Sequence, residues 1–205
     1  MTRVTFGMYR VGVREPAATL GSYAAARAGT PIVTPASVAR AAIVRHHRDS
    51  PAAARDRLHR SFRDSDYWGP KGRPQPQGWA AVIRRCYDTY AQLTQSDARP
   101  AFTTGFDRDI DLPPDVLAVY VDVILLDAAG YVPRLVLWDD NELTAQRAVA
   151  FAAPAWRAAE NELGDGRVAR VEVWSLRQPV QRTVSAAEAR GAMSQVARVV
   201  HRLAS

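Results

Sequence analysis

The chain has 205 residues, of which 47% are hydrophobic and 23% are charged, and these ordinary values exclude disordered, collagen-like and disulfide-rich proteins. Cys86 is the only cysteine, so the chain can form neither an internal disulfide nor a thiolate zinc cluster. The formal net charge is +6, and because Lys71 is the only lysine, nearly all of the positive charge is arginine, which favours acidic partners without selecting one.

The first part of the chain, residues 1–98, is predicted to be a short strand followed by a basic helical region. A Thr-Pro pair at 34–35 and a Ser-Pro pair at 50–51 mark helix starts, because a hydroxyl accepts hydrogen bonds from free backbone N–H groups and proline suits the first helical position. The elements predicted here are a strand within 3–13, a loose helix or connector over 15–30, and helices over 35–48, 51–63 and 79–93.

The helix predicted over 51–63 combines a narrow apolar stripe with a basic surface. Ala54, Leu58 and Phe62 recur every four residues, and arginines occupy much of the remainder. A loop rich in proline and glycine, 69–78, follows this helix. The candidate nucleic-acid-binding residues, which would contact phosphates or stack on a base, are Arg45, Arg48, Arg55, Arg57, Arg60, Arg63, Trp68, Lys71 and Arg73. The alternative interpretation is a solvated arginine-rich face, and basic residues alone do not decide between the two.

The adjacent histidines and the cysteine are predicted to have structural rather than metal-binding or catalytic roles. His46 and His47 are adjacent, so they point in different directions on a helix, and no acidic residue recurs at metal-ligand spacing; we interpret them as surface histidines. Cys86 lies on the apolar face of the helix predicted over 79–93 and is interpreted as a core thiol.

The second part of the chain, residues 99–205, is predicted to be an α/β core. A strand hairpin, a crossover helix and a further strand make a mixed central sheet flanked by helices. Pro154 lies inside the crossover helix and is expected to kink or split it. The predicted elements are strands over 101–109, 116–126, 131–138, 168–176 and 180–184, a helix over 144–163, and a last helix that begins after a capping box formed by Ser185 and Glu188.

A single carboxylate, Asp122, interrupts the most apolar strand of the chain. A carboxylate there is expected to be desolvated, which is costly unless it is hydrogen-bonded, paired or bound to a metal. If Leu126 faces Tyr131 across the turn, Asp122 lies opposite Leu135 and Arg134 points to the other face. Alternation along the strand places Tyr120, Asp122 and Ile124 on one face, and Val121 and Val123 on the other.

An acidic residue in a core strand, followed by a hairpin, a helix, another strand and a closing helix, resembles the PD-(D/E)XK nuclease superfamily. The resemblance is greatest to its RecB-like and Cas4-like branch and covers residues 101–203. Asp122 resembles the first metal-binding aspartate, and residues 131–139 occupy the place of the strand that carries the (D/E)-x-K triplet. Gln146 resembles the glutamine at the start of the following helix. The resemblance implies a restriction-endonuclease-like sheet.

The chain departs from this family at the residues that perform hydrolysis. In the family, a second acid and a lysine alternate on the strand after the hairpin, bind Mg²⁺ and activate the attacking water. Here those positions fall on Leu135 and Leu137, or on Leu137 and Asp139, and no lysine can serve. The resemblance therefore implies the nuclease fold, but neither the family's metal-dependent hydrolysis nor a metal cofactor.

Three functions remain open at this point. The leading hypothesis is a non-catalytic relative that binds DNA, RNA or a nucleic-acid-processing partner. The second is an atypical Mg²⁺-dependent nuclease that combines Asp122 with Asp139, Asp140 or Glu142, although these last three acidic residues would equally suit the start of the following helix. The third is a scaffold subunit whose basic helices dock a protein.

We also expect a cytoplasmic protein with no membrane partner. No apolar run approaches the roughly 20 residues needed to span a bilayer. The first residues of the chain lack the long apolar region of a secretory signal.

Overall fold

The computed structural model describes residues 3–6, 35–63, 78–113, 115–138 and 141–204. These residues fall into two compact units, one within 10–95 and the other within 1–9 and 96–205, which we call the helical unit and the sheet unit. The connector predicted over 15–30 and the loop predicted over 69–77 lie outside the described residues.

The helical unit contains α1 (Pro35–Arg48), α2 (Pro51–Arg63) and α3 (Trp79–Thr94), which confirms the predicted helices. Ser50 caps α2, because its Oγ accepts a hydrogen bond of 3.1 Å from the backbone N–H of Ala53. The predicted apolar stripe of α2 is also confirmed, since Ala54 and Leu58 are buried. Cys86 is buried on α3, as expected for a core thiol.

The sheet unit is α/β, with a mixed sheet and two long helices, as predicted. The most apolar strand becomes the long strand β3, and the capping box of the last helix forms through hydrogen bonds between Ser185 and Glu188. Its elements are β1 (Arg3–Phe6), β2 (Ala101–Leu112), β3 (Asp115–Asp127), β4 (Gly130–Leu137), α4 (Ala145–Leu163), β5 (Arg170–Ser175), β6 (Val180–Ser185) and α5 (Ala186–Ala204).

Strand β3 organises the sheet because two different strands share one of its edges. Antiparallel β2 pairs with β3 along nearly its whole length. The other edge is occupied first by β1, which runs parallel to residues 116–119, and then by β4, which runs antiparallel to residues 123–127. Beyond β4 the order continues with β5, which is parallel to β4, and then antiparallel β6. Residues 120–122 therefore lie where β3 changes neighbours.

The predicted hairpin register is confirmed, whereas the predicted alternation along β3 is wrong at one position. Leu126 pairs with Tyr131, as expected. Val121, however, packs in the main apolar core together with Ile124, while Val123 belongs to a separate small cluster. The change of face coincides with an irregularity in the neighbouring strand, since Gly105 stands across from Asp122 with a φ of 63° and the β2–β3 ladder has no pair at this position.

Helix α4 covers the main core with a row of alanines and passes through Pro154 without splitting, contrary to one of the two predicted outcomes. Thr144 caps its first turn by accepting a hydrogen bond from the backbone N–H of Arg147. Glu160, near its end, accepts backbone hydrogen bonds from Gly166 (2.7 Å) and Val168 (2.8 Å) and so fixes the turn that leads to β5. Among the described helices, no segment is long and apolar enough to cross a bilayer.

Candidate functional site

Asp122 lies in the part of β3 where the neighbouring strand changes from β1 to β4. Its side chain is 1% exposed, and Oδ2 accepts a hydrogen bond of 2.8 Å from the backbone N–H of Val136. Val136 lies on β4, beyond the last residue of that strand that pairs with β3. The carboxylate therefore takes the place of a backbone carbonyl and joins β4 to β3 where their ladder ends. The predicted burial of Asp122 is confirmed, and of the alternatives left open for its carboxylate the structure shows a hydrogen bond.

The strand beside Asp122 presents aliphatic side chains where the resemblance calls for a second acid and a lysine. Leu135 and Leu137 are buried in the main core. Glu142 is exposed, and its contact with Arg147 is made by its backbone carbonyl rather than by its carboxylate. Asp139 and Asp140 lie outside the described residues. Within the described ranges, no three His, Cys, Asp or Glu side chains are grouped so that they could hold a metal ion.

The opposite face of the sheet carries a buried arginine that sequence reasoning placed correctly but did not explain. Arg134 on β4 is 0% exposed. Its Nε donates to Glu172 at 2.9 Å, and its Nη2 donates to Glu172 at 2.7 Å and to Asp97 at 2.5 Å. The guanidinium also stacks on Trp174, with 3.6 Å between Cζ and the ring centroid.

Arg134 belongs to a larger set of alternating charges, which we call the buried ion network. Arg99 bridges the two acids, since it donates to Asp97 at 2.8 Å and to Glu172 at 2.7 Å. Arg170 holds Asp127 at 2.6 Å. The six members, Asp97, Arg99, Asp127, Arg134, Arg170 and Glu172, carry three charges of each sign, so the network is formally neutral.

The network lowers the pKa of its acids. For Asp97, the hydrogen bond from Arg99 is the largest effect; burial opposes it and Arg134 adds to it, which leaves the pKa well below its usual range. For Glu172, burial raises the pKa, but the hydrogen bonds and charges of Arg99 and Arg134 together outweigh burial and lower it.

We therefore expect the sheet unit to be acid-labile. A carboxylate whose pKa is depressed by folding stabilises the protein above its unfolded pKa of about 4, and this stability is lost as the pH falls through the folded pKa. The free energy of unfolding should thus decrease as the pH is lowered from about 5. Urea titrations at several pH values would measure the free energy of unfolding. Glu172→Gln should make this free energy depend less steeply on pH. A pH-independent stability would contradict a structural role for the charged network.

Most of the candidate arginines of α1 and α2 are exposed on the helical unit, namely Arg45, Arg48, Arg55, Arg57 and Arg60. Arg45 pairs with Asp49 at 2.8 Å, and Arg55 lies 3.6 Å from Asp88. Arg48, Arg57 and Arg60 are exposed, and none of them has a carboxylate within ion-pair distance among the described residues. Arg63 ends α2, and nothing is described of its side chain. The remaining candidates, Trp68, Lys71 and Arg73, lie outside the described residues.

The interpretation of His46 and His47 as surface residues is wrong, because both are half-buried and bonded across to α3. His46 Nδ1 lies 3.0 Å from the Tyr87 hydroxyl, and its Nε2 lies 3.2 Å from Thr94 Oγ1. His47 Nε2 lies 2.6 Å from the Tyr90 hydroxyl. Burial raises the pKa of Tyr87 to about 12, so this hydroxyl stays protonated near neutral pH. The two histidines link α1 to α3.

Comparison with known proteins adds no family to this description: no protein-family model matches the chain, and neither does any curated protein.

Proposed function

We propose that this chain is a non-catalytic relative of the PD-(D/E)XK nucleases that binds nucleic acid through the arginines of its helical unit. The proposed relation is supported by the order of elements: antiparallel β2, β3 and β4, the crossover helix α4, and β5 parallel to β4. It is also supported by the position of Asp122 at the point where β4 leaves β3.

The observation that carries the binding proposal is the uneven distribution of charge between the two units. Residues 10–95, which contain the helical unit, hold 13 arginines, one lysine and six acidic residues, a formal charge of +8. Residues 96–205 hold 12 arginines and 15 acidic residues, a formal charge of −3. A genome rich in arginine codons would raise arginine in both units alike, so codon usage alone does not explain why only one unit is basic.

The exposed arginines of α2 have the chemistry that a phosphate backbone requires. Arg57 and Arg60 lie three residues apart on α2, so they are neighbours on one helical face. Neither is neutralised within the described residues, whereas Arg108 on the sheet unit is held by Glu162 at 3.0 Å. Unpaired, solvated guanidiniums on one surface release counterions when they bind phosphates, which gives affinity without base specificity.

Support for a non-catalytic role comes from the way Asp122 and its neighbours are used. The Asp122 carboxylate accepts a hydrogen bond from the Val136 backbone N–H. Leu135 and Leu137, which stand at positions that the resemblance assigns to the second acid and the lysine, are buried in the main core. Hydrolysis by this family needs bound Mg²⁺ and an activated water, and an aliphatic surrounding supplies neither ligands nor a base.

The double variant Arg57→Gln/Arg60→Gln tests the proposed surface. We expect it to bind single- and double-stranded DNA and RNA more weakly, irrespective of sequence, and to reduce the slope of log K against log salt by about 1 for each arginine. Fluorescence anisotropy over a salt series measures both quantities. Arg198→Gln/Arg202→Gln is the matched control, since it removes two exposed arginines from α5 of the sheet unit and should leave both unchanged.

Three results would overturn the proposal. Equal losses of affinity in the α2 variant and in the α5 control would mean that binding depends only on overall charge, and no measurable affinity near physiological salt would favour a protein-docking scaffold instead. Cleavage of any substrate with Mg²⁺ or Mn²⁺ that disappears in Asp122→Asn would replace the non-catalytic role by an atypical nuclease.

A further inference from the structure

The imidazole of His46, near the end of α1, is held between two hydroxyl groups of α3. Its Nδ1 lies 3.0 Å from the hydroxyl oxygen of Tyr87, and its Nε2 lies 3.2 Å from Oγ1 of Thr94. Tyr87 and Thr94 are both buried, so bulk water does not compete for these hydroxyls. The protons that the His46 ring carries therefore depend on where the two hydroxyls direct their own protons.

Each of these two hydroxyls already donates to a backbone carbonyl. Tyr87 donates to the carbonyl of Pro51, at the start of α2, at 3.1 Å, and Thr94 donates to the carbonyl of Tyr90 at 2.9 Å. A hydroxyl has a single proton and a carbonyl can only accept, so the hydroxyl is the donor in both pairs. Both hydroxyl oxygens consequently present lone pairs, and not protons, to His46.

Only the charged form of His46 satisfies all four of these hydrogen bonds. The imidazolium has a proton on each ring nitrogen and donates to both hydroxyls. In the neutral imidazole one nitrogen has no proton, so one bond is lost. Either that nitrogen faces a lone pair, or its hydroxyl turns toward it and leaves the carbonyl of Pro51 or Tyr90.

The ends of two helices favour a positive charge at this place. His46 belongs to the last turn of α1, and Thr94 is the last residue of α3. The C-terminus of a helix carries a partial negative charge, so a cation beside it is stabilised. Burial acts in the opposite direction, but His46 is only half-buried, and we expect the two hydrogen bonds and the two helix ends to outweigh this partial desolvation.

The other charged groups of the three helices do not decide the charge of His46. They include two pairs of opposite sign and one exposed arginine, namely Arg45 with Asp49 at 2.8 Å, Arg55 with Asp88 at 3.6 Å, and Arg48, which solvent screens. The His47 ring lies 5.0 Å from the His46 ring, so repulsion favours only one charge on the two. The Tyr90 hydroxyl, 2.6 Å from His47 Nε2, can bond a neutral ring as well as a charged one.

We infer that His46 is an imidazolium in the folded helical unit and acts as a pH-sensitive clamp that joins α1, α2 and α3. The folded state holds this proton more tightly than the unfolded chain does. The stability that the clamp contributes is therefore complete below about pH 6.5, where an unfolded histidine titrates, and is lost as the pH rises through the pKa of the folded state. This direction is opposite to that of the buried ion network, and the clamp does not involve Arg57 or Arg60.

NMR spectroscopy of the full chain, labelled with isotopes at histidine, tests the inference through the protons themselves. The His46 signals are assigned by their absence from His46→Gln, and long-range proton–nitrogen spectra show which ring nitrogens are protonated. At about pH 6.5, where an ordinary histidine is half charged, we expect both nitrogens of His46 to carry protons. We also expect His46 to lose its charge at a higher pH in the folded chain than in the same chain unfolded in urea.

Variants of the two hydroxyls show whether they hold the charge. Thr94→Val removes the acceptor at Nε2 in nearly the same volume and should move the His46 titration to lower pH, whereas Thr94→Ser keeps a hydroxyl and should leave it close to that of the wild type. Tyr87→Phe removes the acceptor at Nδ1 and should act as Thr94→Val does. In urea titrations, the loss of stability above about pH 6.5 should be smaller in His46→Gln than in the wild type or in His59→Gln, the exposed control.

The inference fails if His46 is singly protonated at about pH 6.5, or if it titrates in the folded chain at or below the pH of the unfolded chain. Equal titrations of His46 in Thr94→Val and Thr94→Ser would also contradict it, as would a pH dependence of stability that His46→Gln retains in full. Circular dichroism melting checks that each variant is folded, and Tyr87→Phe provides the same comparison if Thr94→Val does not fold.

Discussion

Replacing Arg134 by methionine is expected to destabilise the sheet unit by about 3–5 kcal/mol, because Glu172 and Asp97 lose one of the two guanidiniums that they share and the network keeps an uncompensated negative charge. Arg134 is fully buried, and its guanidinium satisfies Glu172 twice and Asp97 once. Methionine fills much of the same volume beside Trp174, so the loss reports the uncompensated charge rather than a cavity.

Urea unfolding monitored by circular dichroism measures this change in stability. The double variant Arg134→Met/Glu172→Leu tests whether the change comes from the remaining acid. If the single variant is destabilised by the excess negative charge that remains around Glu172, removing this acid as well should recover part of the stability. Arg108→Met is the exposed comparison: Arg108 and Glu162 are both about half exposed, and breaking their solvent-screened pair should change stability far less than Arg134→Met does. An Arg134→Met variant as stable as the Arg108→Met variant would contradict the assigned role of the network.

The buried ion network shows what a single sequence cannot provide. Its strands were predictable, since β-branched runs and a short turn define β3 and β4, and the turn fixes their register. The partners of Arg134 were not predictable, because Asp97 and Glu172 lie 37 and 38 residues away in the chain. Glu172 comes beside Arg134 only when β5 pairs in parallel with β4. An arginine in an otherwise apolar strand was the one available signal, and it indicates a buried partner without naming it.

The error at Val121 has a different physical origin. Strand alternation assumes an unbroken ladder, yet Gly105 adopts a left-handed conformation across from Asp122 and the pairing skips that position. Glycine inside a strand is a known mark of irregular pairing. However, the residue of β3 that Gly105 faces depends on the register between β2 and β3, and this register could not be predicted from the sequence.

The helical unit shows how far the function of a protein surface can be predicted from sequence. Helix boundaries and the apolar stripe of α2 followed from caps and periodicity, whereas the separation of charge became meaningful only when the two units were known. The histidines of α1 were misjudged because neighbours on a helix need not share an environment, and the tyrosines that hold them come from α3. Local rules predicted the helices but not the contacts between them.

Asp122→Ala is expected to cost about 1–3 kcal/mol of unfolding free energy, because it leaves the buried Val136 N–H without its side-chain acceptor. Asp122→Asn keeps an oxygen that can accept the same hydrogen bond, so its cost should be within about 1 kcal/mol. Asp111→Ala on β2 is the control, since Asp111 is exposed and its replacement should change stability by no more than about 0.5 kcal/mol.

The same titrations, repeated with millimolar Mg²⁺ or Mn²⁺, separate the structural role of Asp122 from a metal-binding one. A ligand that binds only the folded protein raises its stability by an amount set by its concentration and affinity. If Asp122 acts only as a substitute for a backbone carbonyl, each ion should shift the unfolding of the wild type and of Asp122→Asn equally. A stabilisation by Mn²⁺ that is confined to the wild type would make Asp122 a metal ligand, because the amide of asparagine keeps the hydrogen-bond acceptor but is a far weaker ligand for a hard cation.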